Sequence, residues 1–139
     1  MNLKVTLSDR PISVENVIRS VRTKSAGAIV TFIGTVRETS EGMRVQRMEL
    51  EAAKDLAVAD LNRIGKLAMG KFDVASLAIC HRIGKLRVGD VIVVIAVSSP
   101  HRNDAFSASE FVIDELKKTT PIWKKEFGKG KGRWVRQEA

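Results

Sequence analysis

The 139-residue chain has no tyrosine, a single cysteine, two histidines and three prolines. The lone Cys80 excludes an internal disulfide and any zinc site built from a cysteine cluster. With only His81 and His101 besides, no structural metal site and no metal cofactor are expected. No apolar run approaches the roughly 20 residues that a membrane helix needs. The opening MNLKVTLSDRPIS lacks the apolar core of a signal peptide, so a cytoplasmic protein is expected. There is no Walker loop, no GxGxxG, no HExxH and no carboxylate pair of the glycosidase kind. Repeats, linkers and a composition boundary are also lacking, and GKGKG is the one low-complexity piece. One domain over residues 1–139 is therefore expected.

Positive charge is plentiful. Lys and Arg number 24 against 16 Asp and Glu, a net charge of +8. Such a chain tends to meet anions: nucleic acid, phosphorylated metabolites or an acidic protein. Excess lysine also simply aids solubility, so charge alone does not choose.

Hydrophobic periodicity gives the elements. Residues 2–7 read as a short strand, and Ser13 caps a helix with Val14, Val17, Ile18 and Val21 at helical spacing. GAIVTFIGTV, residues 27–36, is apolar and β-branched, as a buried strand is. A polar loop, ETSEGMR, follows Arg37. Residues 45–52 alternate, with Met48, Leu50 and Ala52 on one face. A helix from about Ala53 to Met69 buries Ala53, Ala57, Leu61, Ile64 and Ala68 and stops at Gly70. Gly65 inside it costs about 1 kcal/mol against alanine, which points to a tight packing contact. Residues 74–83 form a strand with Leu77, Ile79, His81 and Ile83 on one face, LRVGD a turn, and 91–97 a second buried strand. A helix follows from Pro100 to about Lys118, capped by Ser99, with Ala105, Ser109, Val112 and Leu116 inward. Thr119-Thr120-Pro121 breaks it. IWKKEF reads as a short edge strand, and RWV as a last strand. The order β-α-β-β-α-β-β-α-β-β is α+β with a mostly antiparallel sheet.

Cations gather at element ends, where α/β-type proteins collect ligands. Arg37 lies where a strand emerges. His101 and Arg102 open a helix whose N-terminus is already positive, an unfavourable place unless an anion binds there. Two simpler readings are that the side chains bend into solvent, or that Asp104 neutralises them. Lys117 sits beside the apolar stripe of the same helix, and Lys124 follows the proline turn. A lysine tuned by burial and by neighbouring cations can act as base, acid or nucleophile. A solvated Lys-Lys pair at a helix C-terminus is the plainer reading. Trp123 reads as a core or interface anchor, His81 as a hydrogen-bonded core histidine, and Cys80 as packing.

The blocks GAIVTFIGTVRE, MELEA, HRIGKLRVGD, VSSPHRNDAFSASEFVIDELKKTTPIWKKE and RWV, in this order, resemble the large, catalytic subunit of molybdopterin synthase. The resemblance runs from about residue 10 to residue 136. It implies an α/β hammerhead-type fold with an additional antiparallel β subdomain. It implies sulfur transfer from the C-terminal thiocarboxylate of a small ubiquitin-like Gly-Gly carrier to cyclic pyranopterin monophosphate, forming the molybdopterin dithiolene. It further implies a homodimer at the centre of a heterotetramer. By position, Thr35, Val36 and Arg37 would line the substrate site, and His101 and Arg102 would contact the same substrate. Lys117 and Lys124 would be catalytic, with Lys125 and Glu126 beside them. Members commonly carry an aromatic where this chain has Ala53. An arginine of some members reaches across the dimer near the position of Glu138; Arg133 or Arg136 could substitute here.

Two rival readings are a basic nucleic-acid-binding module and a non-catalytic scaffold of the same fold. Against the first, the chain shows no basic strand interleaved with aromatics. Against the second stands the complete set His101, Arg102, Lys117 and Lys124. The ending RQEA excludes the Gly-Gly carrier itself.

Overall fold

Side-chain alternation and the pull of three helices sort the strands into two four-stranded sheets. The computed structural model describes residues 2–129 and 131–135. The first sheet contains β1 (Leu3–Ser8), β2 (Ala28–Thr35), β6 (Ser76–Arg82) and β8 (Val91–Ser99), in the order β1-β6-β8-β2. Its β1–β6 pair is parallel, and its other pairs are antiparallel. Helix α1 (Val14–Val21) packs on one face; α2 (Lys54–Lys71) and α3 (Arg102–Thr119) pack on the other. Cover on both faces is why β8 reads as a nearly continuous apolar run. Leu61, Ile64, Leu77, Ile79, Ile95, Val112 and Leu116 meet in the main core, each at most 1% exposed.

The second sheet holds β5 (Arg47–Ala52), β7 (Gly84–Arg87), β9 (Ile122–Gly128) and β10 (Lys131–Val135), in the order β10-β9-β5-β7 and antiparallel throughout. Its inner face contributes Met48, Leu50, Leu86 and Ile122 to a smaller core with Val36, Val45 and Ala57. A two-stranded hairpin, β3 (Thr39–Ser40) with β4 (Met43–Arg44), stands apart from both sheets. No helix among the described residues is long and apolar enough to cross a membrane.

The α+β reading and the antiparallel preference hold, with several local corrections. β2 is an edge strand, with Ile29 and Ile33 about 40% exposed. Its β-branched composition suits a centre or an edge equally, and only the neighbouring strands decide. β9 is interior, because β10 folds back onto the side that β5 leaves open. The expected LRVGD turn is strand in its first two residues, since β7 pairs with β5 through Leu86 and Arg87, and the chain reverses at Val88–Asp90. There Gly89 takes φ 91°, and the Asp90 carboxylate accepts from the Arg87 N–H at 2.8 Å. The polar loop folds as the β3–β4 hairpin around Glu41 and Gly42, both at positive φ.

Ser99 does not cap α3. It continues β8, and its hydroxyl donates to the Asp73 carbonyl at 2.5 Å, so His101 takes the cap position without a side-chain cap bond. α2 runs one residue past Gly70, and its own cap residue, Ala53, likewise offers no side-chain bond. The tight contact expected at Gly65 is present. A β-carbon there would lie 2.6 Å from Leu3 Cδ1, so glycine lets α2 settle onto β1.

Candidate functional site

Residues from both sheets and from α3 line a pocket of about 320 Å³. β2 delivers Thr35 at its end, with Arg37 just beyond it; the hairpin supplies Ser40 and Glu41. β5 contributes Met48 and Leu50, β9 contributes Lys124 and Glu126, and the last turn of α3 contributes Lys117 beside Leu116. His81, at the end of β6, completes the lining named here. Strand alternation explains the selection on β9. Leu50 pairs with Lys124 and Met48 with Glu126, so these four share the inner face.

Arg37, Lys117 and Lys124 thus meet in one pocket with two carboxylates, Glu41 and Glu126. Glu126 is only 3% exposed. The guanidinium of Arg133 lies 3.7 Å from its Oε1, which has no hydrogen-bond partner, and also donates to the Ser40 carbonyl. Arg133 is therefore engaged within its own chain, tying β10 to the hairpin and to the pocket wall.

The corner that sets the spacing of Lys117 and Lys124 is pinned from α2. The Asp60 carboxylate accepts from the Thr119 and Thr120 hydroxyls at 2.8 Å each and from Arg63 at 3.0 Å. Partial burial works against its charge, but the bonds from Thr120, Thr119 and Arg63 prevail and hold this acid below its ordinary range.

Other residues singled out in the sequence lie elsewhere. Val36 is buried in the smaller core just behind the pocket. Lys125 projects from the opposite face of β9, its ammonium 5.3 Å from the Phe127 ring centre and 5.4 Å from that of Trp134. His101 and Arg102 are exposed at the far end of α3, about 22 Å along the helix from Lys117. Arg136 lies outside the described residues. Burial raises the pKa of the half-buried Cys80 thiol, in keeping with a packing role.

Sequence reasoning missed His81 as a pocket residue. It is buried and hydrogen-bonded as expected, with Nδ1 at 2.8 Å from the Arg82 carbonyl oxygen. Its place at the strand end, one alternation past Ile79, was the available signal. Burial, aided by the nearby Lys117 charge and opposed by the Arg82 bond, lowers its pKa to about 4. An unfolded histidine titrates near 6.5, so the unfolded chain takes up the proton first as pH falls. The stability His81 confers is complete above about pH 6.5 and is lost as pH falls through about 4, in all about 3 kcal/mol. Urea unfolding between about pH 7.5 and 4 should show this loss. A folded His81→Phe variant should lack that share of the slope; an unchanged slope would contradict the assignment.

The profile of the MoaE protein family matches residues 7–119. The chain belongs to the MoaE family. A curated relative, the molybdopterin synthase catalytic subunit of Bacillus subtilis, is 48% identical over 129 residues, covering 93% of this chain and 82% of the relative. The crystal structure of molybdopterin synthase from Staphylococcus aureus aligns with TM-score 0.88 at 36% identity over 97% of each chain. A Helicobacter pylori complex of subunits 1 and 2 of molybdopterin-converting factor aligns with TM-score 0.77 at 19% identity over 100% of this chain and 93% of that chain, a likeness of fold alone. The fold of this MoaE protein is thus the hammerhead-type α+β fold expected from the resemblance, with the second sheet as the added antiparallel part.

Proposed function

We propose that the pocket between the two sheets is where sulfur is transferred to a pterin substrate. The chain is a molybdopterin synthase catalytic subunit, an enzyme of molybdenum cofactor biosynthesis. The observation that carries the site reading is the convergence of Arg37, Lys117 and Lys124, from three separate elements, on one pocket.

The chemistry follows from that charge. The substrate is cyclic pyranopterin monophosphate, whose phosphate suits Arg37 with Thr35 beside it. The small carrier's Gly-Gly thiocarboxylate enters as an extended tail. Its sulfur attacks a substrate carbon and forms a C–S bond as a carbon–oxygen bond at that carbon breaks, and the cations stabilise the negative charge that develops on the departing oxygen. Water then cleaves the acyl–sulfur bond, leaving sulfur on the substrate and a carboxylate on the carrier. Lys117 supplies and recovers the proton in these steps, with Lys124 as the second cation. Glu126 pairs with Arg133 at 3.7 Å and shares the inner face of β9 with Lys124. Each dithiolene requires two such transfers.

His101 and Arg102 cannot reach this pocket within one chain. We assign them to the pocket of a second copy, in a homodimer flanked by two carrier subunits. The edge strand β2, with Ile29 and Ile33 exposed, and Phe106 on α3 offer the uncovered surface such a dimer needs. Arg136 keeps its cross-dimer assignment. The cytoplasm is the setting we assign, on the single cysteine and the lack of a long apolar run.

The nucleic-acid reading gains one observation. On the outer face of the second sheet, Trp123, Lys125 and Phe127 alternate along β9, with Arg47 stacked 4.0 Å over Phe127. These cations are already seated on the chain's own rings, which weighs against an open stacking platform. The discriminating experiment incubates the chain with thiocarboxylated carrier and cyclic pyranopterin monophosphate, and in parallel with single-stranded RNA. Dithiolene product and no salt-dependent RNA binding are expected; RNA binding without product would overturn the proposal.

A further inference from the structure

We propose that Arg133 is a positioning residue: standing outside the pocket, it takes up the buried Glu126 carboxylate and so leaves the Lys124 ammonium to the substrate. The inference rests on the reading of this pocket as the site of sulfur transfer.

The pocket gathers three cations, Arg37, Lys117 and Lys124, and two acids, Glu41 and Glu126. A carboxylate in a pocket for anions works against binding unless its charge is met elsewhere. Arg133 meets both acids without lining the pocket itself. Its Nη2 lies 3.7 Å from Glu126 Oε1, and its Nη1 lies 4.0 Å from Glu41 Oε2. Glu41 is largely exposed, so its pair contributes little. Glu126 is 3% exposed, and its pair is shielded from water and salt. Lys124 shares the inner face of β9 with Glu126. Among the described residues, no carboxylate forms an ion pair with Lys124.

The fold fixes the guanidinium where it is. Arg133 on β10 stands opposite Glu126 on β9 in the strand register. Its Nη2 also donates to the Ser40 carbonyl of the β3–β4 hairpin. That hairpin can lie against β9 because Gly128 is bare: a β-carbon there would collide with the Arg44 carbonyl oxygen.

Without the guanidinium, a buried carboxylate is left uncompensated, which is costly. Lys124 is the cation that shares its face, and pairing with it would cancel the charge offered to the departing oxygen. The loss falls on the chemical step, because the phosphate is held by Arg37.

The test compares Arg133→Met, Glu126→Gln and the double variant with the wild-type chain, each with thiocarboxylated carrier and cyclic pyranopterin monophosphate. A crystal structure of Arg133→Met should show the Lys124 ammonium within about 4 Å of the Glu126 carboxylate, a pair the wild-type crystal should lack. The single-turnover rate at saturating substrate should fall about tenfold, with KM changed less than about threefold. The double variant should regain the rate of Glu126→Gln alone, since the competing charge is gone. A mere loosening of the hairpin would instead raise KM, and Glu126→Gln would not repair it. An unpaired Lys124 in folded Arg133→Met, an unchanged rate, or a loss that Glu126→Gln does not remove would each overturn the proposal. If Arg133→Met does not fold, the double variant, free of that buried charge, is compared with Glu126→Gln, and a slower double variant overturns it. If the wild-type chain forms no dithiolene, the sulfur-transfer reading fails, while the crystal structures still decide whether Arg133 keeps Glu126 from Lys124.

Discussion

Replacing Lys117 with alanine should lower single-turnover sulfur transfer by about 100- to 1,000-fold while leaving the fold intact. A charge placed where negative charge develops accounts for losses of that size, and a proton donor for similar ones. Lys117 is half-buried at the last turn of α3, and the buried packing of that turn belongs to Leu116 and Val112. Stability should therefore change by less than about 1 kcal/mol. Carrier binding should persist, because the docking surface for a folded partner is far larger than one side chain at a pocket floor. Stopped-flow product formation and urea unfolding check both halves. Turnover near the wild-type rate would remove Lys117 from the chemistry.

Leu116→Ala should do the reverse, striking stability first. Leu116 is 1% exposed and joins the main core to the pocket wall. Truncating a side chain so placed costs about 2–5 kcal/mol, part transfer and part cavity. The melting temperature should fall by about 10 °C on that scale. The C-terminal turn of α3 carries Lys117, so the remaining folded molecules should also turn over more slowly. A loss of stability under about 1 kcal/mol would show that this turn collapses readily onto β8 and is not held as described.

These effects are anchored in parts of the molecule that were legible to different degrees. Helices α2 and α3 were readable because Leu61, Ile64, Val112 and Leu116 recur at helical spacing, and tertiary packing uses the same faces. Strand positions within the sheets were not readable. β2 reads as a buried strand and lies at a sheet edge, and β9 reads as an edge strand and lies inside its sheet, because neighbours, not composition, set that order. β7 was hidden by its length of four residues and by the glycines at its boundary.

The site divides in the same manner. Arg37, Lys117 and Lys124 stood out as cations at element ends, and the pocket gathers them. The sequence had no means of separating Lys124 from Lys125 until β9 had a partner strand to define its inner face. His81 was read only as a buried histidine, since the pocket it lines is built by residues from the second sheet. His101 and Arg102 look adjacent to the lysines on the sequence, yet the whole length of α3 intervenes.

The most direct test of the central claim is the intact mass of the thiocarboxylated carrier, incubated with this chain with and without cyclic pyranopterin monophosphate. The expected result is exchange of sulfur for oxygen at the carrier's terminus only when the substrate is present, and its disappearance with Lys117→Ala. A carrier that keeps its sulfur, in a complex shown to be folded and assembled with substrate present, would contradict it.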